Sequence, residues 1–353
     1  MKKIRLLIVD DSALMRQILQ DILQGEDIEV MGTASDPFRA AEIIKHTIPD
    51  VILLDVEMPR MDGLTFLKRL MERHPLPVVV LSSLTAERAE TALKAWELGA
   101  VEVLEKPRIG HRQQLLQQAS TRLREIIRLA SRSKVQRHGA EPRPVSRHGA
   151  KVTAPILSTT TDQLIALGAS TGGTEALRVV LENLPVDVPG LVIVQHMPEQ
   201  FTRAFAERLN RLSRIVVKEA RTGDRVLPGQ ALIAPGNQHI RIQRNGAQYQ
   251  VVLDSGPAVN RHRPSVDVLF ESVARSAGKN AVGVLLTGMG RDGAQGLLAM
   301  HQAGARTIAQ DEASSVVYGM PKAAVDLGAA QHILPLSKVS DFLQQKALNP
   351  TMY

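Results

Sequence analysis

A chain of 353 residues, 44% hydrophobic and 22% charged, is long enough for about two globular domains, each with its own core. It has no cysteine, which excludes disulfides, thiolate metal sites and a cysteine nucleophile together, and fits a cytoplasmic protein. The net charge of +7 raises nucleic acid as a partner, but aromatic residues make up only 3% of the chain, too few for a base-stacking surface.

The first apolar run, residues 4–9, stops at Asp10 and Asp11, far too early for a signal peptide, and no later run approaches membrane-spanning length. From there the chain alternates short β-rich runs with amphipathic ones. Strands are expected at 4–9, 28–33, 51–54, 78–81 and 101–104, and helices at 13–24, 37–46, 64–73, 86–98 and 112–130. Five such units predict a parallel sheet covered by helices on both faces, with ligands beyond the carboxyl ends of the strands.

Those ends carry chemistry. Asp10 and Asp11 follow the first strand, Asp55 the third, Ser82 and Ser83 the fourth, and Lys106-Pro107 the fifth. Converging carboxylates repel one another and call for a hard cation such as Mg²⁺. With Lys106 and a hydroxyl nearby, Asp55 is placed to accept a phosphoryl group. Aspartates and serines are also common helix caps, but five matches on successive strand ends favour a site.

With Asp10-Asp11-Ser12, Leu54-Asp55-Val56-Glu57-Met58-Pro59, Asp62-Gly63, Ser82-Ser83 and Lys106-Pro107 in place, residues 1–125 resemble a response-regulator receiver domain. The resemblance implies a flavodoxin-like (βα)5 fold, Asp55 as the phosphorylated aspartate, Asp10, Asp11, Asp55 and the carbonyl of Glu57 as Mg²⁺ ligands, and Ser82 and Lys106 as the switch pair. Val103 departs from the aromatic residue that receivers often carry three places before the lysine.

Residues 126–160 lose periodicity. Ser131-Arg132-Ser133-Lys134, Glu141-Pro142-Arg143-Pro144 and Thr159-Thr160-Thr161 are polar and proline-broken, as expected of a flexible linker. Arg128, Arg132, Lys134, Arg137, Arg143, Arg147 and Lys151 stand against Glu141 alone within 128–152, so most of the positive surplus belongs to this segment.

Periodicity resumes in residues 161–346. Strands are expected at 164–167, 191–194, 215–217, 281–286, 306–309 and 332–334, and helices at 174–183, 201–212, 266–277, 293–303 and 321–327. A hairpin-like section is expected over 232–253, with Asn245-Gly246 as its turn signal. A second doubly wound, mostly parallel α/β domain with a small antiparallel insertion follows.

Its first strand leads into Gly168-Ala169-Ser170-Thr171-Gly172-Gly173 and a helix start. The pattern fits a nucleophile elbow, a phosphate cradle at a helix N-terminus or a tight turn whose serine only caps the helix. A nucleophilic Ser170 needs a base and an orienting acid. His196 directly follows the second strand, and Asp292 follows the 281–286 strand through Thr287-Gly288-Met289-Gly290-Arg291. His262 with Asp267 is the rival pair; strand-end loops favour His196 and Asp292.

Gly168-Ala169-Ser170-Thr171-Gly172-Gly173, Gln195-His196-Met197, Ala234-Pro235-Gly236, Arg263-Pro264-Ser265-Val266-Asp267 and Leu286-Thr287-Gly288-Met289-Gly290-Arg291-Asp292-Gly293 resemble the CheB family of chemotaxis methylesterases. The resemblance implies Ser170 as nucleophile, His196 as base, Asp292 as its orienting acid, and Thr171 and Met289 at the oxyanion position, with no cofactor at this second site. The implied reaction is phosphorylation-activated hydrolysis of glutamyl methyl esters on chemoreceptors, with deamidation of particular receptor glutamines. The implied partners are chemoreceptors as substrate and a chemotaxis histidine kinase as phosphodonor, at membrane receptor arrays. A DNA-binding response regulator and a nucleotide-binding output module are the alternatives, although residues 161–346 lack a compact helix-turn-helix pattern and the Gly-Lys-Ser/Thr ending of a P-loop.

Overall fold

The computed structural model describes residues 3–58, 62–82, 89–106, 113–133 and 163–347. Contacts divide the chain into two compact units, Met1–Ala140 and Glu141–Tyr353. Most of the expected linker, residues 134–160, lies outside the described residues, as do the expected helix starts at 86–88 and 112 and the motif residues Pro59, Ser83 and Pro107.

In the first unit the order is β1 (Ile4–Val9), α1 (Ala13–Leu23), β2 (Ile28–Ala34), α2 (Pro37–His46), β3 (Val51–Asp55), α3 (Gly63–Arg73), β4 (Val78–Ser82), α4 (Ala89–Glu97), β5 (Glu102–Glu105) and α5 (Gln113–Ala130). The strands line up β2-β1-β3-β4-β5, every pair parallel. Both β3 and β4 are buried at every position, which is why they read as unbroken apolar runs ending in one polar residue. Side chains at strand ends start the helices. Ser12 accepts from Met15 N, Asp36 from Phe38 N and Arg39 N ahead of Pro37, and Asp62 from Leu64 N. The helix α5 runs to Ala130, four residues beyond the position where the linker was expected to begin.

The second unit contains β6 (Leu164–Ala169), α6 (Gly173–Glu182), β7 (Gly190–Gln195), α7 (Glu199–Leu212), β8 (Val216–Glu219), β9 (Gln230–Ile233), β10 (His239–Asn245), β11 (Gln248–Asp254), α8 (Val266–Ala277), β12 (Ala281–Leu285), α9 (Ala294–Gln302), β13 (Arg306–Gln310), α10 (Met320–Asp326), β14 (His332–Leu334) and α11 (Leu336–Ala347). Seven strands form one sheet, β14-β13-β12-β6-β7-β9-β8, and all its pairs are parallel. The antiparallel hairpin is β10 with β11, which pair separately. Its reversal is Gly246-Ala247, closed by Asn245 opposite Gln248, with φ 60° at Gly246; glycine at the first central position suits a two-residue hairpin.

Two elements differ from expectation. The segment around 232–234 is not part of the hairpin: β9 enters the main sheet between β7 and β8, where its Ala231, Leu232 and Ile233 are fully buried. The helix α11 was not anticipated, because its buried face is narrow, with Val339, Ser340 and Leu343 inward. It docks on α6, where Ser340 Oγ donates to Val180 O at 3.1 Å.

The sequence of connections places the site. From β6 the chain steps to β7 on one side and later to β12 on the other. The carboxyl ends of β6, β7 and β12 therefore border the point where strand order reverses, the usual crevice of such sheets.

Candidate active site

Ser170 is the first residue after β6 and is 9% exposed. Its N–H donates to Thr287 O at 3.0 Å, and Leu286 N donates to Gly168 O at 2.9 Å, so the loop after β12 continues the sheet alongside the Ser170 turn. Thr171 is buried, and its carbonyl accepts from Thr287 Oγ1 at 3.0 Å. Gly172 starts α6 at φ 76°, and a Cβ there would lie 2.6 Å from Val316 Cβ, so both conformation and space call for glycine. Gly288 lets its loop abut Ser170: a Cβ there would stand 2.8 Å from Ser170 Cβ and 2.3 Å from Met320 Sδ.

His196 follows β7, and its N–H donates to Ala169 O at 3.1 Å. Gln195, 3% exposed, ties the two turns together: its Nε2 donates to Ser170 O at 2.9 Å and to His196 O at 3.2 Å. His196 Nε2 lies 2.8 Å from Asp292 Oδ2. The other ring nitrogen, Nδ1, is buried with no hydrogen-bond partner among the described residues. The structure thus joins His196 to Asp292 and sets Ser170 on the adjoining strand end.

Asp292, 1% exposed, sits against the N-terminus of α8. Besides His196 it accepts from Ser265 Oγ at 2.7 Å, Val266 N at 2.7 Å, Asn260 Nδ2 at 2.8 Å and Asp267 N at 3.3 Å. Burial pushes its carboxyl up, but the His196 ring, Asn260 and Ser265 outweigh it and hold Asp292 well below the usual carboxylate range. Donation to a charged Asp292 puts a ring proton on His196 Nε2; in a ring with a single proton, that is where it sits. The lone pair is then on Nδ1, the nitrogen that can take a proton.

The rival pair lies behind these two residues. The His262 ring stacks on His196, centroids 3.7 Å apart and planes at 9°. Asp267 accepts from Asn260 Nδ2 at 2.6 Å and Gly296 N at 2.7 Å. Burial, with the charge of Asp292 adding to it, pushes Asp267 up to about 6. Met289 is half-buried in the same loop as Asp292. The contacts of Gln195, Asn260 and Ser265 carried no spacing signal, because each is made across the fold; Gln195 and Ser265 stood out only as members of the quoted motifs.

In the first unit, ligand oxygens of Asp10, Asp11 and Asp55 lie within 4.8 Å of one another, an all-oxygen donor set that fits a hard divalent cation. Lys106 Nζ is 2.6 Å from Asp55 Oδ2 and 3.2 Å from Asp10 Oδ2. Glu57 N donates to Asp55 Oδ1 at 2.8 Å, and Ser82 Oγ donates to Glu57 Oε1 at 3.1 Å. Burial raises Asp55 above the usual range despite Lys106 and the Glu57 N–H. Val103 is buried in β5. Among the described residues no helix is long and apolar enough to cross a membrane.

Residues 165–343 match the family described as CheB methylesterase, and residues 6–120 match the response regulator receiver domain family. The protein-glutamate methylesterase/protein-glutamine glutaminase of Salmonella typhimurium is 54% identical over 347 residues, covering 98% of this chain and 97% of its own. A Geobacter metallireducens relative described in the same words is 53% identical over 350 residues, covering 96% of this chain and 98% of its own. The solved catalytic domain of the Thermotoga maritima CheB methylesterase is 37% identical, with a TM-score of 0.51, and covers 52% of this chain and 98% of that one. With a receiver-type parallel sheet first and a methylesterase-type sheet second, this chain belongs to the CheB family of chemotaxis response regulators.

Proposed function

We propose that this chain is a phosphorylation-activated protein-glutamate methylesterase. It hydrolyses glutamyl methyl esters on chemoreceptors and deamidates particular receptor glutamines. The observation that carries the reading is the Asp292–His196 pair, which leaves a buried Nδ1, without a hydrogen-bond partner among the described residues, on the strand end next to Ser170.

In this reading Asp292 fixes the tautomer, and His196 Nδ1 takes the Ser170 Oγ proton as the oxygen attacks the ester carbonyl. Negative charge gathers on the carbonyl oxygen beside Thr171 and Met289, near the positive end of α6. The imidazolium then gives its proton to the departing methoxide, releasing methanol. Water, deprotonated by the same nitrogen, cleaves the acyl-serine to glutamate and restores Ser170. For a glutamine the leaving group is ammonia.

The receiver, which α5 carries to Ala130, supplies control, and the segment beyond it, to about residue 160, joins it to the esterase at 161–346. Asp55 accepts the phosphoryl group from a chemotaxis histidine kinase. Asp10, Asp11, Asp55 and the Glu57 carbonyl would hold Mg²⁺, which neutralises phosphoryl oxygens when bound. Lys106 and Ser82 would meet the same oxygens and bias the receiver between two states. The enzyme would act in the cytoplasm, where receptor arrays present their methylated segments.

A serine-directed fluorophosphonate tests the nucleophile. Mass spectrometry of the inactivated protein is expected to find the adduct on the Ser170 peptide, and receptor peptides treated with the untreated enzyme are expected to carry free glutamate at the esterified positions. Inactivation with the adduct elsewhere would remove Ser170 from its role.

A further inference from the structure

Residues 259–262, between β11 and α8, reverse the chain in a turn closed at both edges. Val259 N donates to His262 O at 3.0 Å, and His262 N donates to Val259 O at 2.9 Å. The two central residues, Asn260 and Arg261, have φ of 51° and 67°. Neither is glycine, and the left-handed region disfavours any side chain at two successive positions, arginine more than asparagine. Such a conformation persists where its surroundings over-determine it, and it gathers at functional sites.

The surroundings here are the acid and the base of the proposed triad. Asn260 Nδ2 donates to Asp292 Oδ1 at 2.8 Å and to Asp267 Oδ2 at 2.6 Å, so both hydrogens of one amide separate two buried carboxylates that would otherwise repel. At the far end of the turn, the His262 ring lies flat on His196. A residue that only formed the turn would not need an amide aimed at both carboxylates.

We propose that Asn260 is a positioning residue for ester hydrolysis, clamping Asp292 in register with His196 while the turn it opens lays His262 against the base. The clamp sets the direction of the Asp292 oxygen that meets His196 Nε2. It also keeps Asp267 from pushing that carboxylate aside. This inference rests on the reading of Ser170, His196 and Asp292 as the catalytic set.

Asn260→Gly separates the clamp from the turn, because glycine adopts the left-handed conformation freely and removes only the amide. In the full-length protein acting on methylated receptor membranes, Asn260→Gly is expected to lower kcat about 10- to 100-fold, the range of a hydrogen bond to a charged group, with KM within about twofold. Asn260→Asp keeps the volume and sets a third carboxylate between the other two, so it is expected to fall at least as far. The two variants strain the fold for different reasons, so whichever stays folded by circular dichroism carries the test. The proton resonance of His196 Nε2–H, bonded to Asp292, is expected to move in a folded variant, a shift that a turn-forming role alone would not cause. A folded Asn260→Gly with kcat within twofold of wild type and an unmoved resonance overturns the proposal. If Ser170→Ala abolishes hydrolysis in the same assay, that failure leaves the triad standing; if Ser170→Ala retains hydrolysis, the triad reading and this inference fall together.

Discussion

Asp292 gathers five donors on two oxygens, and its neighbour Asp267 takes two. The two carboxylates respond to pH in opposite directions. Asp292, held below the usual range, adds stability above the ordinary carboxylate pKa, and that stability is lost only as acid protonates the folded state. Asp267 is pushed up to about 6, so between about pH 4 and that value the folded chain binds a proton that the unfolded chain has released. Its contribution is therefore present at low pH and fades as pH rises through the window. Asp267→Asn is expected to flatten this part of the thermal-midpoint profile; a profile that falls as steeply in the variant would show that another group is responsible. Asp292→Asn is expected to lower kcat about 10³- to 10⁴-fold in a folded protein, because the amide favours the wrong imidazole tautomer; a loss under tenfold would refute its orienting role. The contact of His196 with Asp292 rather than Asp267 was legible from strand-end position. Asn260 and Ser265 were not, since what makes them matter is a carboxylate about 30 residues further along, delivered by the sheet.

At the scale of elements, the close approach of β6 to α8 shapes the site. Gly168 faces Val266, and a Cβ on Gly168 would lie 2.2 Å from Val266 Cγ1 and 2.9 Å from Cγ2. Gly168→Ala is expected to destabilise the second unit by about 1–3 kcal/mol in urea unfolding, as overpacking does. Val266→Ala combined with it should restore part of that loss, a coupling that independent sites would not show. Additive losses would mean that the two elements do not press on each other. The glycines around Ser170 were readable as licence for close approach, but the partner was not, because Val266 lies almost a hundred residues away. Likewise the buried runs of β6, β7 and β12 were legible from their apolar continuity. By contrast, the 232–234 run does not show its sheet in the sequence, because a short apolar run reads the same in either sheet.

For the whole molecule, both units carry their candidate site residues at the carboxyl ends of parallel strands, the position that alternation of strand and helix predicts. Which strands lie side by side depends on contacts far apart in sequence and was not legible. Asp55→Asn is expected to leave basal hydrolysis in place and abolish stimulation by a small-molecule phosphodonor, and chelation of divalent cations should do the same to wild type; stimulation surviving in Asp55→Asn would place the phosphoryl acceptor elsewhere. The most direct measurement is methanol release from methylated chemoreceptor membranes by wild type and Ser170→Ala, each with phosphodonor and Mg²⁺. The account predicts release by wild type and a fall of at least about 10³-fold in Ser170→Ala, the scale on which losing a nucleophile acts. Equal release by the two proteins would contradict it.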